Sequence, residues 1–200
     1  MKYIREFLEN FKKTPAFTFK GAERFLKYKG STSAYAKLFM SKLVKSGRTY
    51  RITKGNYSLF KDNEIVGFPF YPFYYGLGFA LTNHGLSKQQ FNPHVITTRN
   101  VRAGLRTAFC SNFYVSKISE GMFFGYIYVK GENFSYPLSD IEKTLIDMLY
   151  YDFSVEEYVY ENIFKRLDKR KTREYLKLCN DKITGKYTRL ERLYGKFIPS

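Results

Sequence analysis

Ile4, Phe7, Leu8 and Phe11 recur three and four residues apart, with Lys2, Arg5, Glu6, Glu9 and Lys12 between them. That period predicts a helix over about 2–12, ending before Thr14-Pro15. A second helix follows over about 19–28, with Ala22, Phe25 and Leu26 inward and Gly30 as its stop. A third begins after the run GSTS, where a Ser or Thr can cap the free amides. Ala36, Phe39, Met40, Leu43 and Val44 make its apolar stripe, and Gly47 is placed to close it in the left-handed conformation. The period then changes from helical to alternating. Tyr50 and Ile52 flank Arg51, and after a bend at Thr53-Lys54-Gly55, Tyr57 and Leu59 alternate again. This predicts a two-stranded ribbon. Three helices and a basic hairpin give a winged helix-turn-helix over residues 1–60.

From residue 61 to 200 the pattern predicts a second, mixed α/β domain with a small sheet and C-terminal helices, so the fold class is α+β. FYPFYYGLGFALTNHGL reads as a strand or turn entering a short buried helix. HVITT, FYVSKI, FFGYIYV and FSYPL read as strands. SDIEKTLIDMLYYD opens a helix with Ser139 and Glu142 at capping-box spacing. Further helices are predicted over 155–166, 170–182 and 187–195, with GKYT at 185–188 as a helix start. The boundary near residue 61 is soft, because no linker marks it. The charge-free stretch from Ile65 to Ser87 is interrupted by Pro69, Pro72 and four glycines, which argues for a buried segment over a membrane span.

Charge sharpens the picture of the first domain. The formal net charge is +16, and residues 1–60 hold 14 Lys/Arg against 3 Asp/Glu, whereas residues 61–200 hold 20 against 15. A field of that size favours polyanions. Aromatic residues make up 20 % of the chain, 19 Tyr and 20 Phe, and are expected to fill its cores. Cys110 and Cys179 stand far apart without a second pair, which argues against a disulfide framework or a zinc site. Both are expected as small buried hydrophobes in a reducing, cytoplasmic setting, with no signal peptide ahead of them.

The candidate DNA-binding residues follow from the geometry of such a fold. Thr32, Ser33, Tyr35 and Lys37 fall at the tip of the third helix, where side chains reach base edges. Ser41, Lys42 and Lys45 lie further along, placed for phosphates. Arg48, Arg51 and Lys54 belong to the hairpin, where a wing tracks the backbone. Arg99, Arg102 and Arg106 form a second basic group that can extend a DNA footprint, dock an acidic partner, or simply be a solvated loop. Catalytic patterns are absent. His84 and His94 have no Cys or carboxylate at ligand or triad spacing, and no Gly-rich phosphate loop, HExxH or GxSxG occurs. Asp140, Glu142 and Asp147 could be drawn as metal carboxylates, but a cap and an amphipathic helix account for them. No enzyme activity, metal or cofactor is expected.

Three stretches together resemble a known family, the AbiEi-type antitoxins and transcriptional regulators of type IV toxin–antitoxin (abortive infection) systems. SKLVKSGRTYRITKGNYSL is similar to the family's recognition helix and wing, ending in Gly55-Asn56-Tyr57. FYYGLGFALTNHGLSKQQFNPHVITTRNVR resembles its Tyr-rich strand, small-residue helix and His-Gly-Leu turn. PLSDIEKTLIDMLYY resembles the helix that opens with Glu-Lys. The family commonly carries Ser-Ala where this chain has Gly78-Phe79-Ala80. The resemblance covers roughly residues 15–151. It implies a winged helix that binds repeats in its own promoter and represses its operon. It also implies a C-terminal domain that acts against a nucleotidyltransferase-like toxin without requiring a stable complex with it. The alternative left open by the residues themselves is a protein- or RNA-binding module without operator specificity.

Overall fold

The computed structural model describes residues 2–197. Its first six elements are α1 (Ile4–Phe11), β1 (Phe17–Thr18), α2 (Phe19–Tyr28), α3 (Ser33–Lys45), β2 (Tyr50–Thr53) and β3 (Asn56–Ser58). The helical period buries Phe7 completely, and its ring meets those of Phe11, Phe17, Phe25 and Phe39 at centroid distances of 4.7, 5.6, 5.6 and 5.1 Å. Thr18 caps α2 and Thr32 caps α3, each accepting an amide three residues on. Gly30 and Gly47 follow α2 and α3 at φ 80° and 67°, the left-handed conformation in which a side chain is disfavoured. Val44, expected in the apolar stripe of α3, is exposed. The predicted two-stranded ribbon is a three-stranded sheet in the order β1-β3-β2. Two residues just before α2 pair with β3, Phe17 opposite Tyr57, a strand too short to leave an alternating pattern.

A second sheet forms the centre of the molecule. Its strands are β4 (Phe73–Tyr75), β5 (His94–Thr97), β6 (Gly104–Ala108), β7 (Ser111–Lys117), β8 (Tyr126–Lys130) and β9 (Ser135–Ser139), in the order β6-β7-β5-β4-β9-β8. β4 runs parallel to β9 and β5 to β7; the other pairs are antiparallel. Between β4 and β5 lies the buried α4 (Leu77–Asn83). One face carries Tyr75, Val95, Phe113, Val115 and Leu138 into a core with Ile65 and Phe70. The opposite face carries Tyr74 and Ile96 against α5 (Ile141–Tyr150) and the helices after it, α6 (Glu157–Arg166), α7 (Lys169–Leu176) and α8 (Asp181–Tyr194). The stretch from Ile65 to Ser87 is built into this sheet and α4. Among the described residues no helix is long and apolar enough to cross a membrane.

The ribbon joins the cores of the two regions. Register puts Arg51 opposite Tyr57 on one face of the ribbon, and Tyr57 packs on α1–α3. Ile52 turns the other way, and with Ala16 and Phe60 it joins the core of the central sheet. Tyr50 meets Phe109 edge to face at 6.1 Å. Phe109 and Cys110 make the β6–β7 turn at φ 55° and 64°, values that normally select Gly or Asn. Cys110 is therefore exposed at a bend, not buried as its residue type suggested, while Cys179 is half-buried.

Four further expectations are corrected at α5, α7 and α8. Its N-cap is Asp140, which accepts from the Lys143 amide at 2.8 Å. Ser139 is buried and shares a hydroxyl–hydroxyl bond of 2.7 Å with Thr144, and Glu142 turns away to accept from the Asp168 amide at 3.0 Å. The helix predicted over 170–182 stops at Leu176, and the one predicted from 187 starts at Asp181 under an Asn180 cap, so GKYT lies inside α8.

Thr49, buried where the chain leaves α3, has the one buried side-chain polar atom without a hydrogen-bond partner among the described residues. Desolvating a hydroxyl without a partner costs about 1 kcal/mol or more. Thr49→Val is expected to raise unfolding stability by about 1 kcal/mol, read from the urea midpoint at unchanged slope.

Candidate nucleic-acid interface

α3 buries Ala36, Phe39, Met40 and Leu43, so its remaining positions form the outward face. Lys37, Ser41, Lys42 and Lys45 are exposed there, with Leu38 at 52 % exposure among them. Arg48, Arg51 and Lys54 are exposed on the connection and ribbon that follow. Each acid of the first sixty residues pairs with a lysine outside this face: Glu6 with Lys29, Glu9 with Lys12, and Glu23 with Lys27 at 3.5 Å. None of Lys37, Lys42, Lys45, Arg48, Arg51 or Lys54 has a carboxylate at ion-pair distance among the described residues. Surface charges of one sign left without counter-ions sum to a field that draws in anions.

The tip of α3 is more committed than its sequence suggested. Thr32 spends its hydroxyl on the Tyr35 amide at 3.2 Å. Ser33 donates to Glu23 and holds that carboxyl below its usual range, with Lys27 and Lys37 adding to the effect. Tyr35 packs its ring on Phe39 at 5.9 Å and donates its hydroxyl to the Lys2 carbonyl at 3.1 Å, tying α3 to the start of α1. Of the four tip residues only Lys37 makes no side-chain hydrogen bond or ion pair among the described residues, though its charge is felt at Glu23.

The second basic group borders the ribbon, because β2 packs alongside β6. Arg99 donates to the Pro69 carbonyl at 2.7 Å, and Arg106 donates to the Arg102 carbonyl at 2.7 Å with its guanidinium 5.1 Å from the Phe70 ring centre. Both are anchored and exposed on one side, and Lys117 joins them through Asn100. From Lys37 to Lys117 the sequence holds twelve Lys/Arg and two acids, Asp62 and Glu64. The division of charge at residue 61 therefore concealed a basic run that continues onto β6 and β7.

A different polar cluster lies beneath α5. Lys143 and Asp147 are fully buried and form an ion pair, and Tyr74 donates to the second Asp147 oxygen at 3.0 Å. The Lys143 ammonium also sits 4.8 Å from the Phe124 ring centre and 5.6 Å from that of Tyr74. Asp140 and Glu142 share Lys171 at 3.1 and 3.0 Å, and Tyr175 donates to Asp140 at 2.8 Å. Burial lowers the pKa of Lys171, but hydrogen bonds to Glu142 and Asp140 outweigh it and leave the ammonium above its usual value. These carboxylates thus face cations and hydroxyls, and among the described residues no group of three His, Cys, Asp or Glu is placed to hold a metal. The cluster joins α5 to β4 and α7. His84 and His94 are likewise tied locally, to the Ser139 carbonyl and to the Ser116 hydroxyl at 2.7 and 2.8 Å.

No protein-family model matches the chain, and no curated protein matches it in sequence.

Proposed function

We propose that residues 1–60 are a winged helix-turn-helix that grips duplex DNA, and that the chain is a sequence-specific repressor of its own operon, the antitoxin of a type IV toxin–antitoxin system. The observation that supports DNA binding is the set of cations from Lys37 to Lys54, none of which has a carboxylate at ion-pair distance among the described residues, while Glu6, Glu9 and Glu23 pair with Lys29, Lys12 and Lys27. α3, at 13 residues, is about 20 Å long, and a helix of its width fits the major groove. Lys37 leads at the base edges. Lys42, Lys45 and Arg48 hold phosphates, and Arg51 and Lys54 carry the ribbon along the backbone. Arg99, Arg102 and Arg106 lengthen the footprint. The antitoxin role rests on the resemblance to the AbiEi-type family, whose functional partner is a nucleotidyltransferase-like toxin.

Promoter duplex titrated from about 50 to 200 mM salt is the test, since each neutralised phosphate contributes about −0.9 to the slope of log affinity against log salt. Arg51→Ala and Lys54→Ala are expected to weaken promoter and random duplex alike and to flatten the slope by about 0.9 each. Lys37→Ala is expected to change the ratio between them. A flat salt response, or equal affinity for promoter and random duplex, removes the repressor reading.

Leu38 favours a second reading, in which α3 docks on a protein. An exposed leucine in the middle of the outward face suits an apolar partner better than a phosphate row. Leu38→Ser separates the two: it leaves the salt slope unchanged in a DNA-binding protein and abolishes association in a protein-binding one.

A further inference from the structure

On the face of the β6–β7 hairpin opposite Arg106, the sheet runs out from under α5 and leaves Tyr114 43 % exposed. Its ring stacks on the imidazole of His94, the neighbouring residue in register, with centroids 5.6 Å apart and planes 24° from parallel. An open cavity of about 440 Å³ lies against this pair, within the range of small-molecule sites. Phe91 and Phe153 form further apolar wall, meeting edge to face at 6.0 Å. Phe91 reaches its place because residue 78 is glycine: a Cβ there would stand 2.4 Å from the Phe91 ring.

The polar groups at the cavity are all neutral. Gln89, Gln90 and Asn92, whose side chains end in neutral amides, are among its lining residues, and no Lys, Arg, Asp or Glu is. His94 commits Nε2 to Ser116, and Nδ1 makes no hydrogen bond among the described residues. Burial depresses this imidazole to about 4, so it is uncharged near neutral pH and can donate or accept according to its tautomer.

We propose that this cavity binds an uncharged planar heteroaromatic ring of nucleobase type, stacked against Tyr114 and held at its edge by His94 and the amides of Gln89, Gln90 and Asn92. Amide side chains pair with base edges, and aromatic rings accept any base face. The ring can come from a free nucleoside or from an unpaired base in a single strand. The site is independent of the duplex-binding reading, since none of the α3 or ribbon cations takes part.

The test is titration of the full chain with each of the four ribonucleosides and with short single-stranded DNA and RNA, followed by calorimetry and by NMR of labelled tyrosine. Saturable binding of at least one probe is expected, weakened about tenfold or more by Tyr114→Ala. Tyr114→Phe should keep it, and Tyr28→Ala, altering a tyrosine 86 % exposed on α2, should leave it unchanged. Binding of a nucleoside identifies a free ligand, and binding of single strands alone identifies an unpaired base. No saturation by any probe, or affinity unaffected by Tyr114→Ala, overturns the proposal, including the case where single strands bind through charge alone.

Discussion

Asp147→Ala is expected to destabilise the fold by about 3–5 kcal/mol, a large fraction of the stability of an ordinary domain. It leaves the Lys143 ammonium fully buried without its counter-charge and removes the acceptor of the Tyr74 hydroxyl. Burial pushes the Asp147 carboxyl up, to about 6, with the ammonium beside it pulling the other way. The two aromatic faces near Lys143 offset part of the desolvation of the cation but cannot replace the carboxylate. Lys143→Ala should cost a similar amount by stranding the anion. Removing both charges has a different effect, because a buried ion pair exchanged for apolar side chains of like volume is often neutral. Lys143→Met with Asp147→Leu and Tyr74→Phe is therefore expected to be more stable than either single alanine variant. Urea unfolding of the set checks this. Single variants within 1 kcal/mol of wild type would mean that water reaches the pair.

Acid should destabilise the protein through His94, by about 3 kcal/mol between neutral pH and pH 4. In the unfolded chain the imidazole takes its proton near 6.5, but in the fold burial delays it to about 4. Between those values the unfolded chain binds more protons, so stability falls as pH falls, and it is fully retained above 6.5. The groups against the ring are Ser116, Tyr114 and Tyr151, none of which supplies a charge to hold an imidazolium. Asp147 works in the opposite sense, because a carboxyl raised to about 6 gains stability as pH drops through that value. The two partly cancel in the wild type, and the difference between wild type and His94→Gln isolates the histidine. That difference should be constant above pH 7 and move by about 3 kcal/mol against the wild type on the way to pH 4. Parallel curves would show that the imidazole is open to water.

Periodicity made α1 to α3 legible, α2 to the residue, because each buries an apolar stripe and a glycine or proline follows it; Val44, on the stripe of α3 by spacing, is exposed. β6 was not legible. It is an edge strand reading Gly-Leu-Arg-Thr-Ala, with Leu105 55 % exposed, so it lacks the alternation a half-buried strand shows. Its turn uses Phe and Cys where Gly or Asn would have announced a hairpin. Lys143 was hidden for a different reason. A lysine four residues before an aspartate ordinarily marks the wet side of a helix, whereas α5 lies under α7 and α8 and is buried on nearly every side. At the cap of α5, Ser139 and Asp140 are both suitable residues, and only the partnership of Ser139 with Thr144 decides between them. In the candidate interface the long cations were readable from charge alone. The commitments of Ser33 and Tyr35 were not, because Glu23 and Lys2 reach them from other parts of the chain.

The ribbon that carries Arg51 and Lys54 has one face in each core, with Tyr57 packed on the helices and Ile52 on the central sheet. Residues 1–60 are consequently not a cassette that recombination could lift out whole. Excision after Phe60 would cut through apolar contacts and bare Ile52 and Tyr50, inviting self-association. A chimera that grafted this head onto another body would need a counterpart of Phe109 to receive it. Evolution of the basic surface is constrained in the same way, since its orientation can drift only as far as the sheet beneath it allows.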